Sequence, residues 1–202
     1  VSARPEISSG APTISGLAGD VLNYVEGNSS RVIEQGGNVT VNDSDSANFN
    51  GGLLHVAIAS GGDTAEDVLG IRNQGTSVGQ IGVAGSNITY NAGSGAVTIG
   101  TFSGGSGSAD LEVAFNANAT PAAAAALIEN ITYVNTDTGN PSTGDRLVRF
   151  RLYDGSGGVS AAHDATVTVT PTADAPDITS NGGGGIASVS VLSLMLAGMV
   201  PA

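Results

Sequence analysis

Apolar and polar residues alternate with a period of two along most of this chain, in short runs broken by Gly and Asn. Such alternation turns one face of a strand toward a core and the other toward water. "LLHVAIA" (53–59) places Leu54, Val56 and Ile58 on one face, and "LEVAF" (111–115) directs Leu111, Val113 and Phe115 inward. In "RLVRFRLYD" (146–154), Val148, Phe150 and Leu152 share a face. Arg149 and Arg151 lie on the other, a solvated face where they pair with nearby acids. "ATVTVTP" (165–171) alternates Val167 and Val169 with threonines, and "RVIEQ", "NVTV", "VLGIRN", "QIGVAG", "NITY" and "AVTIGTF" supply further runs between turn residues. Many β-branched, period-two segments at this spacing predict an antiparallel β-sandwich over 21–172.

One segment breaks the period. "TPAAAAALIEN" (120–130) offers Thr120 as N-cap and Pro121 at the first helical position, followed by an alanine run. It predicts one short helix crossing between strands at about 120–130, with Leu127, Ile128 and Ile131 packing down on the sandwich. Residues 1–20 form a Pro-, Gly- and Ser-rich lead-in. Pro171 and "ADAPDI" (173–178) mark a boundary, and 173–202 reads as a Gly-rich linker plus an apolar strand. The tail and the stretch from Glu6 to Gly27 share an order: Ala-Pro, an Ile-containing pair, a Gly-rich link, an alternating apolar strand. The tail therefore has the pattern of the first strand of a second module. An isolated strand cannot bury its face or satisfy its backbone, so Ile186, Val189, Val191, Leu194 and Leu196 are expected to dock on a neighbouring copy. The run 189–200 falls short of the roughly 20 residues that span a bilayer as a helix, so no membrane span is expected.

Composition narrows the class. Of 202 residues, 40% are hydrophobic, 12% charged and 31 are Gly, too apolar and too weakly charged for a disordered chain. Eighteen acids face six basic residues, all arginine, for a formal charge of −12. A chain so acidic should repel nucleic acid and attract cations. The absence of lysine excludes amine chemistry, including Lys–Asn isopeptide crosslinks, and the absence of cysteine excludes disulfides and thiolate metal sites. The chain begins "VSARPE", without a signal peptide: either export processing removed one or this is a fragment.

"NDSDSANFNGG" (42–52) puts Asp43 and Asp45 two apart in a polar loop, with Asn48 and Asn50 adding amide oxygens. Calcium takes six to eight oxygen ligands. Counted from Asp43 as an EF-hand, the loop has Asn48 in place of the required Gly and Leu54 in place of the Glu, so a metal here needs ligands from elsewhere. The competing reading is an Asx-turn, in which the side chains cap their own backbone. "GGSGSAD" (104–110) misplaces the Asp of the GGxGxD calcium repeat by one residue and has no second copy. It reads as a turn. His55 and His163 sit on separate segments, and no GxSxG elbow or other nucleophile motif occurs. Two histidines without cysteine make a poor zinc site. Six Asn-x-Ser/Thr sequons occur, at Asn28, Asn38, Asn42, Asn87, Asn118 and Asn130, several of them expected by chance in this composition.

"RVIEQGGNVTVNDSDSANFNGGLLHVAI", "LGIRNQGTSVGQIGVAGSNITY", "FNANATPAAAAALIENITYVN" and "VRFRLYDGSGGVSA…VTVTPTADAP" together resemble the cadherin-like tandem modules of giant bacterial surface and adhesion proteins. The resemblance covers about residues 11–178. It implies a Greek-key (cadherin/Ig-like) β-sandwich, export to the cell surface, and calcium near module junctions. Carried over by position, it implies metal ligands at Glu26 in "YVEGN", at Asp43 and Asp45, at Asp154 in "YDGSGG" and at Asp174 in "ADAP". Ser156 stands where the related "DGDGG" pattern has a second Asp, and Ala173 where "NDAP" has Asn.

Three functions follow as expectations. The first is a non-enzymatic subunit of an extracellular bacterial filament, a homopolymer built head to tail by strand donation from the tail. The second is a single calcium-binding repeat of a large cell-surface adhesin, with other surface proteins or glycans as partners. The third, a carbohydrate-binding or hydrolytic module, lacks an aromatic platform: the chain has no Trp, four Tyr and four Phe.

Overall fold

The computed structural model describes residues 10–174. The chain divides into two units, Val1–Thr172 and Ala173–Ala202, and the sandwich belongs to the first. Its strands are β1 (Thr13–Ser15), β2 (Val21–Val25), β3 (Arg31–Val32), β4 (Thr40–Asn42), β5 (Leu53–Ser60), β6 (Asp67–Ile71) and β7 (Ile81–Ala84). After these come β8 (Asn87–Asn91), β9 (Ala96–Ser103), β10 (Leu111–Phe115), helix α1 (Pro121–Ile128), β11 (Ile131–Asn135), β12 (Gly144–Tyr153) and β13 (His163–Thr170).

The described residues form an all-β sandwich with one short helix. One layer is an eight-stranded sheet in the order β2-β13-β12-β5-β10-β9-β8-β7. Opposite it lie the three-stranded sheet β3-β11-β6 and the pair β1-β4. The core fills the space between, and the period-two pattern sets its contributors. Leu54 and Val56 of β5, Leu111 and Val113 of β10, Val148, Phe150 and Leu152 of β12, and Val167 of β13 are all fully buried. Tyr24 of the large sheet meets Tyr133 of the small one edge to face, with ring centroids 5.1 Å apart, so an aromatic pair joins the layers.

Two features depart from the pattern. Ladders in the large sheet are antiparallel except that β2 runs parallel to β13, Val21 pairing with Thr166 and Val25 with Thr170. The cause lies in the lead-in. Ile14 and Leu17 are buried because β1 pairs with β4 on one layer, after which the chain crosses and enters the other layer as β2. Ile14 and Leu17 of the lead-in are thus part of the core. The helix forms as its signals dictate: Thr120 Oγ1 accepts the amide of Ala123 at 3.2 Å, Pro121 opens the helix, and Ala123, Ala124, Leu127 and Ile128 are buried.

Candidate metal centre

The long strand β12 carries Arg146 at one end and delivers Asp154 just past the other. At that second end the loop after β4 holds Asp43 and Asp45. One carboxylate oxygen from each of Asp43, Asp45 and Asp154 lies within 4.8 Å of the others. They come from two loops more than a hundred residues apart, and glycines allow the approach. A Cβ on Gly158 would stand 2.4 Å from Asp154 Oδ2 and 2.4 Å from the Gly10 carbonyl. A Cβ on Gly10 would stand 2.7 Å from Ser44 Oγ and 2.9 Å from Asp45 Oδ1.

Each carboxylate is held by backbone amides. Asp154 is 2% exposed, and its Oδ1 accepts the amides of Ser156, Gly157 and Gly158 at 2.7, 2.9 and 2.9 Å. Asp45 Oδ2 accepts the Gly10 amide at 2.7 Å. Asp43 Oδ1 accepts the amides of Asp45 and Ser46 at 3.1 and 3.0 Å, the Asx-turn of the competing reading. The other oxygen, Asp43 Oδ2, is buried and has no hydrogen-bond partner. One residue therefore forms the turn and also turns an unsatisfied anionic oxygen inward, which costs free energy unless a cation or donor meets it. Ser46 Oγ lies 3.4 Å from Ser156 Oγ, which sets a hydroxyl where the related pattern has its second Asp. Asn48 turns away, its Oδ1 accepting the Asn50 amide at 3.2 Å.

An all-oxygen donor set with three carboxylates suits a hard divalent cation such as calcium and gives thiophilic or imidazole-seeking metals nothing to prefer. The orphaned Asp43 oxygen and the glycine-lined cradle fit such an ion, and the chain's charge of −12 favours cations generally. No family model matches this chain, and no curated protein or solved structure shows significant similarity to it. The site is therefore read from its own geometry.

Glu26 does not join these three. It follows β2, its amide donates to the Thr170 carbonyl at 2.9 Å, and its Oε2 accepts the Thr172 amide at 2.7 Å. Because β2 and β13 run parallel, both end at the pole where β12 starts, with Gly144 opposite Val169. Asp154 leaves β12 at the far pole, about 30 Å away for a ten-residue strand. Glu26 is 6% exposed and its Oε1 is also buried without a partner. Asp174 is exposed and lies in the second unit. Ile186, Val189, Val191, Leu194 and Leu196 lie outside the described residues.

A second cluster was not anticipated. Arg146 is fully buried. Its Nε donates to Asp67 Oδ2 at 3.1 Å, and its Nη2 donates to Glu66 Oε1 at 3.1 Å and to the Ser142 carbonyl at 2.7 Å. Its Nη1 donates to the Gly144 carbonyl at 2.9 Å. Burial is the largest single influence and works against the charge of Arg146, but its hydrogen bonds to Asp67 and the nearby acidic groups of Tyr133, Asp67 and Glu66 together outweigh it and raise the pKa above arginine's usual value. Tyr133 donates to Asp67, and burial with that acidic neighbour pushes the phenol pKa up. The signal was available: Arg146 shares the parity of Val148, Phe150 and Leu152, so the strand pattern alone turns it inward. Elsewhere, His55 Nε2 lies 3.0 Å from Asp110 Oδ2, while His163 pairs across the ladder with Phe150.

Proposed function

We propose that this chain is a non-enzymatic structural subunit of an extracellular bacterial filament. In this reading the apolar segment with Ile186, Val189, Val191, Leu194 and Leu196 of one copy docks on the sandwich of the next. The supporting observation is the polarity of the sandwich. Gly10 is bonded to Asp45 at the aspartate pole, whereas Thr172 is held by Glu26 at the opposite pole. The described chain thus runs from one end of the long strands to the other. Copies linked through the following segment extend along a line, and a head-to-tail contact that does not close on itself builds an open fibre. Electron microscopy of the full chain and of a chain ending at Gly185 tests this. Fibres from the first and separate particles from the second are expected. Fibres from the shorter chain would rule out strand donation.

The aspartate cluster favours a second reading, a calcium-binding repeat of a large cell-surface adhesin. Asp43, Asp45 and Asp154 would hold the ion at one pole of each repeat, with Ser156 as a neutral neighbour. Surface proteins or glycans would then be the partners, and the tail would belong to the following repeat. In that case the 202-residue chain stays monomeric with or without calcium.

A further inference from the structure

We propose that the free edge of β2 is the acceptor for residues 186–196 of a second copy. The inference rests on the filament reading above and names the surface that reading requires. Among the described residues, every other sheet edge is short or closed. β1, β3 and β4 have only two or three residues each. The edge of β6 is covered by a glycine loop, the Leu69 amide donating to the Gly105 carbonyl at 2.7 Å.

β7, the far edge of the large sheet, is sealed by two residues, Gln74 and Asn73. Gln74 donates its backbone amide to the Ile81 carbonyl at 2.8 Å and accepts the Ile81 amide on Oε1 at 3.0 Å. Asn73 repeats the pattern one step on, donating Nδ2 to the Val83 carbonyl and accepting the Val83 amide on Oδ1, both at 3.2 Å. Ile81 and Val83 are the outward-pointing residues of this four-residue strand, so its edge has no groups left to recruit another chain.

β2 carries no such seal. The Asp20 carbonyl accepts the Thr166 amide at 2.8 Å, and the Glu26 amide donates to Thr170 at 2.9 Å. Even-numbered residues therefore face β13, and by alternation the backbone groups of Val21, Asn23 and Val25 face outward. Among the described residues, only the Val25 carbonyl of these has a partner, the Asn28 amide at 3.1 Å. Four large apolar side chains are exposed among the described residues, and two of them, Val21 at 49% and Val25 at 39%, lie on this strand. An open edge flanked by valines is what an added strand needs: main-chain bonds for affinity and apolar side chains to meet.

The segment that fits is on the same chain. "IASVSVLSLML" (186–196) has no charge and no Pro, and Val189 and Val191 stand two apart with Ser190 between them. Residues 173–185, four of them consecutive Gly, separate it from Thr172 and extend to roughly 40–45 Å. That is longer than β12, so the segment can reach along a neighbouring sandwich.

The cysteine-free chain allows a crosslinking test. Asn23→Cys is combined in turn with Val189→Cys, Val191→Cys or Leu194→Cys and oxidised under assembly conditions. A disulfide needs Cα atoms within about 7 Å. A ladder of crosslinked multimers from at least one pair is expected, at least tenfold stronger than from the same partners with Val83→Cys on the sealed edge. Val21→Lys with Val25→Lys should lower the assembled fraction at least tenfold while the melting temperature of the sandwich stays unchanged. Fibres without an Asn23 ladder, or fibres that survive both lysines, would overturn the β2 assignment and leave the filament reading standing. Crosslinking only within single chains would replace the second copy by the chain itself. No assembly of the unaltered full chain would overturn both proposals.

Discussion

Arg146 donates to Asp67 at 3.1 Å and Arg149 to Asp164 at 2.8 Å, yet only the first pair is dry. The side chains of Arg146 and Asp67 are 0% and 1% exposed, those of Arg149 and Asp164 38% and 32%. Length does not decide what each contributes; the surrounding medium does. The Arg149 pair is bidentate and holds the Asp164 carboxyl below its usual pKa, but water screens it. Such exposed pairs contribute little to stability. Removing Arg146 strands Glu66 and Asp67 in a buried site, a loss of about 3–5 kcal/mol. Arg146→Met is therefore expected to lower the urea midpoint far more than Arg149→Met, and equal losses from the two would show that the buried cluster does not hold the strands together. The same comparison shows what a sequence exposes at this scale. The parity of β12 gives away the inward position of Arg146, because residues two apart share a face. It does not give away Glu66 and Asp67, some eighty residues earlier, since pairing across that separation is set by which strands become neighbours.

Elements were legible where local chemistry alone determines them. Helix α1 is the clearest case, because its N-cap, its Pro and its alanine run are all written within eleven residues and all take the positions expected of them. Thr120→Ala removes the acceptor for the Ala123 amide and should cost about 1 kcal/mol, within the 0.5–2 kcal/mol of such caps. Thr120→Ser should recover most of it. A loss no greater than that of an exposed Thr→Ala in a loop would mean that packing of Leu127 and Ile128 alone holds the helix. The strands β5, β10, β12 and β13 were equally legible from alternation. β2 was only half so: its buried face follows from Leu22 and Tyr24, whereas its parallel direction follows from the crossing between layers after β1. Periodicity carries no information on direction. The sealing of β7 was hidden for a related reason, since nothing local to Asn73 and Gln74 shows that a strand edge lies beside them.

At the scale of the whole molecule, strand direction decides which carboxylates can share an ion. Glu26 and Asp154 were grouped on resemblance, and β2 separates them by the length of the sandwich. Asp43, Asp45 and Asp154 instead converge on one pole with an orphaned oxygen of Asp43 among them. A cation that binds this folded arrangement and not the unfolded chain stabilises it by mass action. For the proposed reading, an extracellular calcium site, dissociation constants run at about 10⁻⁴–10⁻³ M. At about 5 mM calcium the gain is then roughly 1–2 kcal/mol, or about 2–8 °C in melting temperature for a domain of this size. Calcium at that concentration is expected to raise the melting temperature accordingly, and a chelator to reverse the rise. Asp154→Asn keeps an acceptor for the amides of Ser156, Gly157 and Gly158 while removing a charge, so it should abolish the calcium response with little loss of calcium-free stability. Glu26→Gln, at the other pole, should leave the response of the isolated chain intact. A melting temperature indifferent to millimolar calcium would mean that the three aspartates serve the loops alone. A response lost equally in Glu26→Gln would mean that the two poles share an ion between copies, which the dependence of the shift on protein concentration would then reveal.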